Sequence, residues 1–367
     1  MLLKGKEGML IKAGNIPKFL RIFWRMYWKK PTFVSFNVTN RCNERCPMCS
    51  LWRTTSEELT ITEIEGILMD LKNFGILLVE ISGGEPFLRP DILDIFALLD
   101  RIGLLYTITT NGTVLTGAHI KGLQRAQKAL QIAISLDSLD QDRYAHLRGQ
   151  DLHAKVLDNI SRLAAAQLPM PVKLNFTMSR VNYKESFAML DYAKAEGLSL
   201  SVFPINMGEG FLHRHADPMF TPDEIERHEM AEIFRGLARL RRKGEPLWEY
   251  SRFYELSADY VLGRSIGRCD AGDLYLDLHA DGILAPCIEH KGFADLRKEK
   301  IREVWDRIRA QKEMIRECDR TNPCCYTCTF NISITARHLL DFTLETAKIQ
   351  GLLIKRGGRP RLGKGLK

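Results

Sequence analysis

The chain has 367 residues, 45% hydrophobic and 27% charged, with nine cysteines and a formal net charge of +8. These figures are ordinary for a soluble globular protein and too large for one typical domain. Nine clustered thiols, an odd number, exclude a secreted disulfide scaffold. The start, "MLLKGKEGMLIKAG", has neither an uninterrupted apolar core nor a small-residue cleavage site, so a reducing cytoplasm is the expected setting. The charge sits at the ends: residues 1–31 carry +7 and 355–367 carry +6, leaving the body at about −5. That distribution, with no aromatic residues between the charges of the tail, argues against nucleic acid as a partner.

Within residues 1–31, "KFLRIFWRMYWKKP" (18–31) is aromatic and basic, with Lys18, Arg21, Arg25 and Lys29 spaced along one helical face. It is too short and too charged to span a bilayer. It suits a peripheral contact at the inner face of a membrane, a helix packed on the body, or a peptide-binding element. From residue 32 to about 215, β-type runs alternate with amphipathic helices. "TFVSFNVT" (32–39), "LLVEISG" (77–83), "LYTITTN" (105–111), "LQIAISLD" (130–137), "VKLNFTMS" (172–179) and "LSLSVFPI" (198–205) read as six buried strands. Thr60 and Glu63 form a capping box before the first intervening helix, and Gly75 ends that helix. This alternation predicts an α/β fold with a parallel sheet, arranged as an open or partial (β/α)6 barrel.

A helical connector is expected over 216–265, started by Thr221 as the cap, Pro222 and Glu224. A cysteine-bearing region follows at 266–335. There "LYLDLH" and "ILAPC" flank the turn "ADG" as a β-hairpin, and "KIREVWDRIRAQKEMIREC" (300–318) reads as a helix. The remainder, 336–367, is a helix and a basic tail.

"RCNERCPMC" (41–49) places Cys42, Cys46 and Cys49 in the loop after the first strand, at the carboxyl end of the expected barrel, where active sites of parallel α/β folds lie. Three thiols with no fourth Cys or His near them fit a four-iron cluster with one open iron better than a closed zinc site. C-x3-C-x2-C after a first strand resembles the radical S-adenosylmethionine (SAM) superfamily. "ISGGEPFL" (81–88), "TTNGT" (109–113), "ISLDS" (134–138) and "LDSLDQDRYAHLRG" (136–149) resemble later segments of that family, in order and at successive strand ends.

The resemblance covers residues 33 to about 210. It implies that the open iron binds the amino and carboxylate groups of SAM, and that reductive cleavage yields a 5′-deoxyadenosyl radical that takes hydrogen from a substrate. It places Met48, Gly83, Gly84, Glu85, Pro86, Asn111, Ser135, Asp137 and Arg180 around SAM, with Asn182 as a further candidate. Gly83 and Gly84 would allow close backbone approach to the ligand, and Glu85 would accept from its ammonium. A flavodoxin- or ferredoxin-type reductant is the implied partner.

Cys269 and Cys287 lie at the two ends of the hairpin, and "CCYTC" adds a C-x2-C pair, Cys325 and Cys328. Four such thiols hold zinc or a four-iron cluster. The run from Cys269 through Gly282 to Cys287 resembles SPASM and twitch extensions, which carry auxiliary iron–sulfur clusters. Ile315 stands where a full SPASM domain has a further Cys, which favours a one-cluster, twitch-like domain. The expected ligands are Cys269, Cys287, Cys325 and Cys328, with Cys318 or Cys324 as replacements for Cys325. The sequence therefore reads as a radical SAM enzyme with a second 4Fe-4S cluster that modifies a peptide or protein or oxidises a small molecule. A membrane-associated enzyme acting on a lipid is the alternative. A non-catalytic iron–sulfur carrier or a zinc-stabilised binding module is the reading from a different class. Nothing in the sequence marks the acid, base or substrate-recognition residues.

Overall fold

In every strand of the core, apolar and polar residues alternate, and the structure shows what each set does. A computed structural model describes residues 16–206, 220–321, 324–325 and 330–355. Six parallel strands run in sequence order across one sheet: β1 (Phe33–Asn37), β2 (Leu78–Ser82), β3 (Leu105–Thr110), β4 (Ala129–Ser135), β5 (Val172–Met178) and β6 (Ser199–Pro204). Val34, Phe36, Val79, Ile81, Ile132, Ile134, Leu174 and Phe176 are fully buried and form the core shared with the surrounding helices. The alternate residues, among them Glu80, Thr107, Thr109, Gln131, Lys173 and Asn175, face the inside of the curved sheet. A parallel barrel is ordinarily filled by branched apolar residues. Here polar side chains take part of the interior, beside apolar ones such as Phe33, Leu78 and Leu130.

The covering helices are α1 (Ile16–Tyr27), α2 (Ile61–Phe74), α3 (Ile92–Ile102), α4 (Gly117–Leu123), α5 (Gln141–Arg148), α6 (His153–Ala165) and α7 (Ser186–Ala195). Helix α2 starts on the expected Thr60–Glu63 capping box and stops at Gly75, whose φ of 120° few other residues adopt. The connector consists of α8 (Glu224–Arg242) and α9 (Ser251–Val261). Its start differs from expectation: Asp223, not Thr221, is the cap, and its box partner is Glu226 rather than Glu224. A carboxylate at the positive end of the helix also gains from the helix dipole, which a hydroxyl does not.

The C-terminal region does more than hold cysteines. Its hairpin, β7 (Tyr275–Leu278) and β8 (Ile283–Ala285), pairs antiparallel as read, and β9 (Ala294–Asp295) adds to β8. Strand β7 also pairs parallel with β1, Phe33 beside Tyr275 through Phe36 beside Leu278, so one nine-stranded sheet runs β6-β5-β4-β3-β2-β1-β7-β8-β9. Segment 300–318 forms two helices, α10 (Ile301–Ala310) and α11 (Lys312–Thr321), and the chain continues into α12 (Phe330–Arg337) and α13 (Leu339–Lys355).

Helix α1 packs on the body. Phe19, Ile22 and Met26 are buried against Phe33, Leu77 and Leu105 at the starts of the strands. Two of its basic residues also reach inward, Lys18 Nζ donating to the Gly103 carbonyl (2.7 Å) and Arg25 to the Pro31 carbonyl (3.0 Å), while Lys29, expected on the same helical face, lies past the helix end and pairs with Asp270 (2.9 Å). The basic face is a docking face. Among the described residues, no helix is long and apolar enough to cross a membrane.

Candidate active site

The loop carrying Cys42, Cys46 and Cys49 leaves the carboxyl end of β1 and is clamped from two sides. On one side the turn after β2 lies along it: Gly84 N donates to the Thr39 carbonyl (2.7 Å) and Glu85 N to the Arg41 carbonyl (2.8 Å). A Cβ on Gly83 or Gly84 would collide with the backbone of Thr39 or Arg41. These glycines therefore admit the chain's own loop, where sequence alone suggested a ligand. Glu85 is buried and accepts from Thr110 Oγ1 (2.7 Å), Asn111 N (2.7 Å) and Phe87 N (3.0 Å). Burial outweighs these bonds and pushes its carboxyl up to about 7. The carboxylate thus fixes the end of β3. Pro86 starts a buried turn, Pro86–Leu88.

On the other side stands the end of α5. Arg148, buried, meets Asp137 at 2.9 Å and Glu44 at 3.4 Å, and Tyr144 donates its hydroxyl to Glu44 (2.7 Å). Arg45 N donates to the Arg148 carbonyl (3.0 Å). Gly149, at φ 65°, leaves room for the Arg45 carbonyl, which a Cβ would strike. Asp137 accepts from Thr177 N (2.8 Å) as well, so its carboxylate ties β4, β5 and α5 together. Asn182 donates to the Asp137 and Thr177 carbonyls (2.7 and 2.9 Å) and is buried, which removes it from the surface where a ligand would lie. Arg180 pairs with Glu226 (3.2 Å). Ser135 sits at the end of β4 on its inward face, opposite Asn175 of β5.

The thiols lie at the centre of this frame. Cys46 is buried 3.9 Å from Glu44 Oε2 and 4.0 Å from Arg148 Nη1, in a small cluster with Met48, Leu147, Ile205 and Phe220. Asn111 reaches across from β3, donating to Asn43 Oδ1 (3.0 Å) and standing 3.9 Å from Cys42 Sγ. Burial raises the Cys42 thiol to about 11 and lifts Cys46 further, with nearby carboxylates adding to the rise. Such thiols ionise readily only beside a strong cationic charge such as a metal, and none of the three is joined in a disulfide, so the donor set fits an iron cluster.

The second group lies at the other end of the sheet. Cys269 accepts at 3.0 Å from, or donates to, the Tyr275 hydroxyl at the start of β7, and Cys287 lies beyond β8 in a cluster with Phe33, Tyr275 and Ile315. Charge on Cys324 and Cys269 raises the Cys287 thiol, after burial, and Cys318 acts on Cys324 in the same way. Cys269, Cys287 and Cys324 thus feel one another's charge, and Cys325, ahead of Cys318, acts on Cys324 as well. Cys325 points elsewhere, into the main core, with its sulfur 3.8 Å from Ser257 Oγ. Cys328 lies outside the described residues. Among the described residues, no three His, Cys, Asp or Glu side chains are spaced to share a single metal ion.

Two features escaped the sequence reading. Glu44 and Arg148 sit inside motifs whose cysteines and glycine drew the attention. Asp277 and His279 were taken only as hairpin residues, although the alternation "YLDLH" puts both on one face of β7. His279 Nε2 is 3.2 Å from Asp277 Oδ2, and Asn37 links Asp277 (3.3 Å) to Ser82 (3.2 Å) at the top of β1 and β2.

The radical SAM superfamily model matches residues 36–193. The GTP 3′,8-cyclase of Erythrobacter litoralis is 29% identical over 285 residues, covering 74% of this chain and 83% of the relative. The probable GTP 3′,8-cyclase of Methanothermobacter marburgensis is 31% identical over 213 residues, 54% of this chain and 67% of the relative. Among solved structures, Streptococcus suis SuiB bound to its precursor peptide SuiA matches with a TM-score of 0.61 at 18% identity, over 76% of this chain. This chain spans 65% of SuiB. Native anSMEcpe with bound AdoMet and a peptide matches with a TM-score of 0.61 at 12% identity, over 89% of this chain and 99% of that one. At those identities the structures speak for the fold. The chain belongs to the radical SAM superfamily. It is a radical SAM enzyme, and its cofactors are SAM and a 4Fe-4S cluster.

Proposed function

We propose that this enzyme oxidises a small molecule held inside the barrel, with Cys42, Cys46 and Cys49 binding the first cluster. Cys269, Cys287 and Cys324, with Cys318 or Cys328, bind a second. When bound, SAM and the first cluster supply one-electron cleavage and hydrogen-atom abstraction, and the second cluster supplies a one-electron acceptor. The carrying observation is the polar part of the sheet's interior, where Glu80, Thr107, Thr109, Gln131 and Asn175 line a chamber instead of filling it. A peptide substrate would favour an open groove over such an enclosed lining. GTP itself is not carried over from the relatives. The charged residues lining the chamber are Glu80, Glu245 and Glu249 against Lys173 and Arg241, one more carboxylate than cation, which makes no phosphate cradle.

Around the cofactors, the chain's own residues position and exclude. Glu85 and Asn111 fix the end of β3 beside Cys42, Arg148 holds the loop through Glu44, and Asp277 with His279 offers a proton-accepting pair at the end of β7. The test is SAM cleavage by the anaerobically reconstituted enzyme under reduction: wild type should form 5′-deoxyadenosine, and zinc in place of the second cluster's iron would defeat the oxidation reading.

A second reading concerns the outer face of α1. Leu20, Trp24, Tyr27 and Trp28 are exposed there, and the flanking sequence ends are strongly basic. This combination suits an anionic membrane surface. Co-sedimentation with anionic liposomes tests it. Loss on replacing Trp24 and Trp28 by Ser supports the contact, and unchanged pelleting refutes it.

A further inference from the structure

The interior chamber has a volume of about 270 Å3 and runs from α1 at the strand starts inward to Thr109 and Asn175. A cavity of about 150 Å3 accommodates benzene, so this one has room for roughly nine or ten heavy atoms. Its two ends differ in chemistry. Phe19, Phe23 and Met26 of α1 and Phe342 of α13 form an apolar outer wall, with Phe23 and Phe342 ring to ring at 6.4 Å. Glu80, Thr109 and Asn175 form the inner end.

The inner end is short of hydrogen-bond donors and of positive charge. Glu80 is enclosed by the barrel yet open to the chamber, and its close partners are the hydroxyls of Thr109 (3.1 Å) and Ser35. Lys173 acts on Glu80 only at longer range, because its ammonium stands 3.8 Å from Glu249 and 5.1 Å over the Trp248 ring. Arg241, farther out, faces Glu345 at 3.4 Å. Asn175 Oδ1 is buried with no hydrogen-bond partner among the described residues. Glu80, with hydroxyls as its close partners, and Asn175 Oδ1, on strands separated by β3 and β4, both face the chamber, and a buried carboxylate there makes a receptor for N–H groups bearing positive charge.

We propose that the chamber binds a primary amine carried on an apolar body, with the ammonium donating to Glu80 and the body lying against α1 and α13. The proposal deepens the small-molecule reading by naming the head group. Binding is measured without SAM, so its failure leaves the cleavage chemistry standing and the two readings fall separately.

The test is calorimetric titration of the full-length, anaerobically reconstituted protein with n-octylamine, n-octanol and n-octanoate. The expected result is saturable 1:1 binding of octylamine, at least tenfold tighter than octanol, and no binding of octanoate. Glu80→Gln should bring octylamine down to the octanol level, and Leu130→Trp, which fills the chamber, should abolish binding of both with unchanged far-ultraviolet circular dichroism. Should Glu80→Gln not fold, the three-ligand comparison and Leu130→Trp decide alone. Equal affinity for amine and alcohol, no binding at all, or binding unaffected by Leu130→Trp would each overturn the proposal.

Discussion

The Arg148 guanidinium stands 2.9 Å from the Asp137 carboxylate, and the same guanidinium is 4.0 Å from Cys46 Sγ. The pair joins the end of α5 to the end of β4 and, through Glu44, carries the three-cysteine loop. Replacing Arg148 by Met leaves two buried carboxylates without their cation. Breaking such a pair costs about 3–5 kcal/mol. Urea unfolding of the metal-free variant should show that loss, and Arg148→Lys should recover part of it. A change below about 1 kcal/mol in Arg148→Met would show that the pair does not support the fold.

Two glycines give opposite expectations. Gly149→Ala meets both a positive φ and the Arg45 carbonyl, so the loop must shift, and iron bound after reconstitution should drop. Gly66 lies within α2 with nothing near its missing Cβ, so Gly66→Ala should raise stability by about 0.5–1 kcal/mol. Thermal melts and iron assays on the two variants check both.

The cysteine assignment separates by iron content. Wild-type protein should hold about eight irons, counting four per cubane, and the Cys42/Cys46/Cys49→Ala variant about four. Cys324→Ala should lose the second set, whereas Cys325→Ala should keep it. Retention by Cys324→Ala and loss by Cys325→Ala would restore the spacing argument against the geometry.

His279 gives a pH signature. Burial alone would lower its pKa, but the Asp277 carboxylate 3.2 Å away outweighs burial and holds it above 6.5. A raised pKa means that protonated His279 stabilises the folded state fully below 6.5, and that this contribution fades as pH rises through the folded value. The stability difference between wild type and His279→Gln should therefore be largest at about pH 6 and shrink toward pH 8. Urea unfolding across that range measures it, and a difference that is flat with pH would contradict the pairing.

The six core strands, the hairpin and the first capping box were legible because each depends on residues close in sequence. The roles of the strand-end motifs were not. Gly83, Gly84, Glu85, Asp137 and Arg148 meet partners far along the chain, and spacing alone cannot tell a residue that touches a ligand from one that holds the loop beside it. The chamber had a signal that went unread: "FVSFN", "LVEIS" and "KLNFT" alternate apolar and polar although both faces of each strand are enclosed. The choice between Cys324 and Cys325 depends on side-chain direction, which composition does not encode.

The pairing of β1 with β7 fixes more than the edge of the sheet. The first thiol group lies past the carboxyl end of β1 and the second beside the start of β7, so the five residues of β1 separate them by roughly 16 Å at about 3.3 Å per residue. That span is a ladder of backbone hydrogen bonds with no hinge in it. Any charge hopping between the two ends thus crosses a gap whose width is held constant against thermal motion, and Phe33, which touches both the chamber and the second thiol group, lies on the route. If the second thiol group holds a cluster as proposed, the barrel wall is a spacer between two redox terminals, and lengthening β1 and β7 together would slow the transfer without altering either terminal.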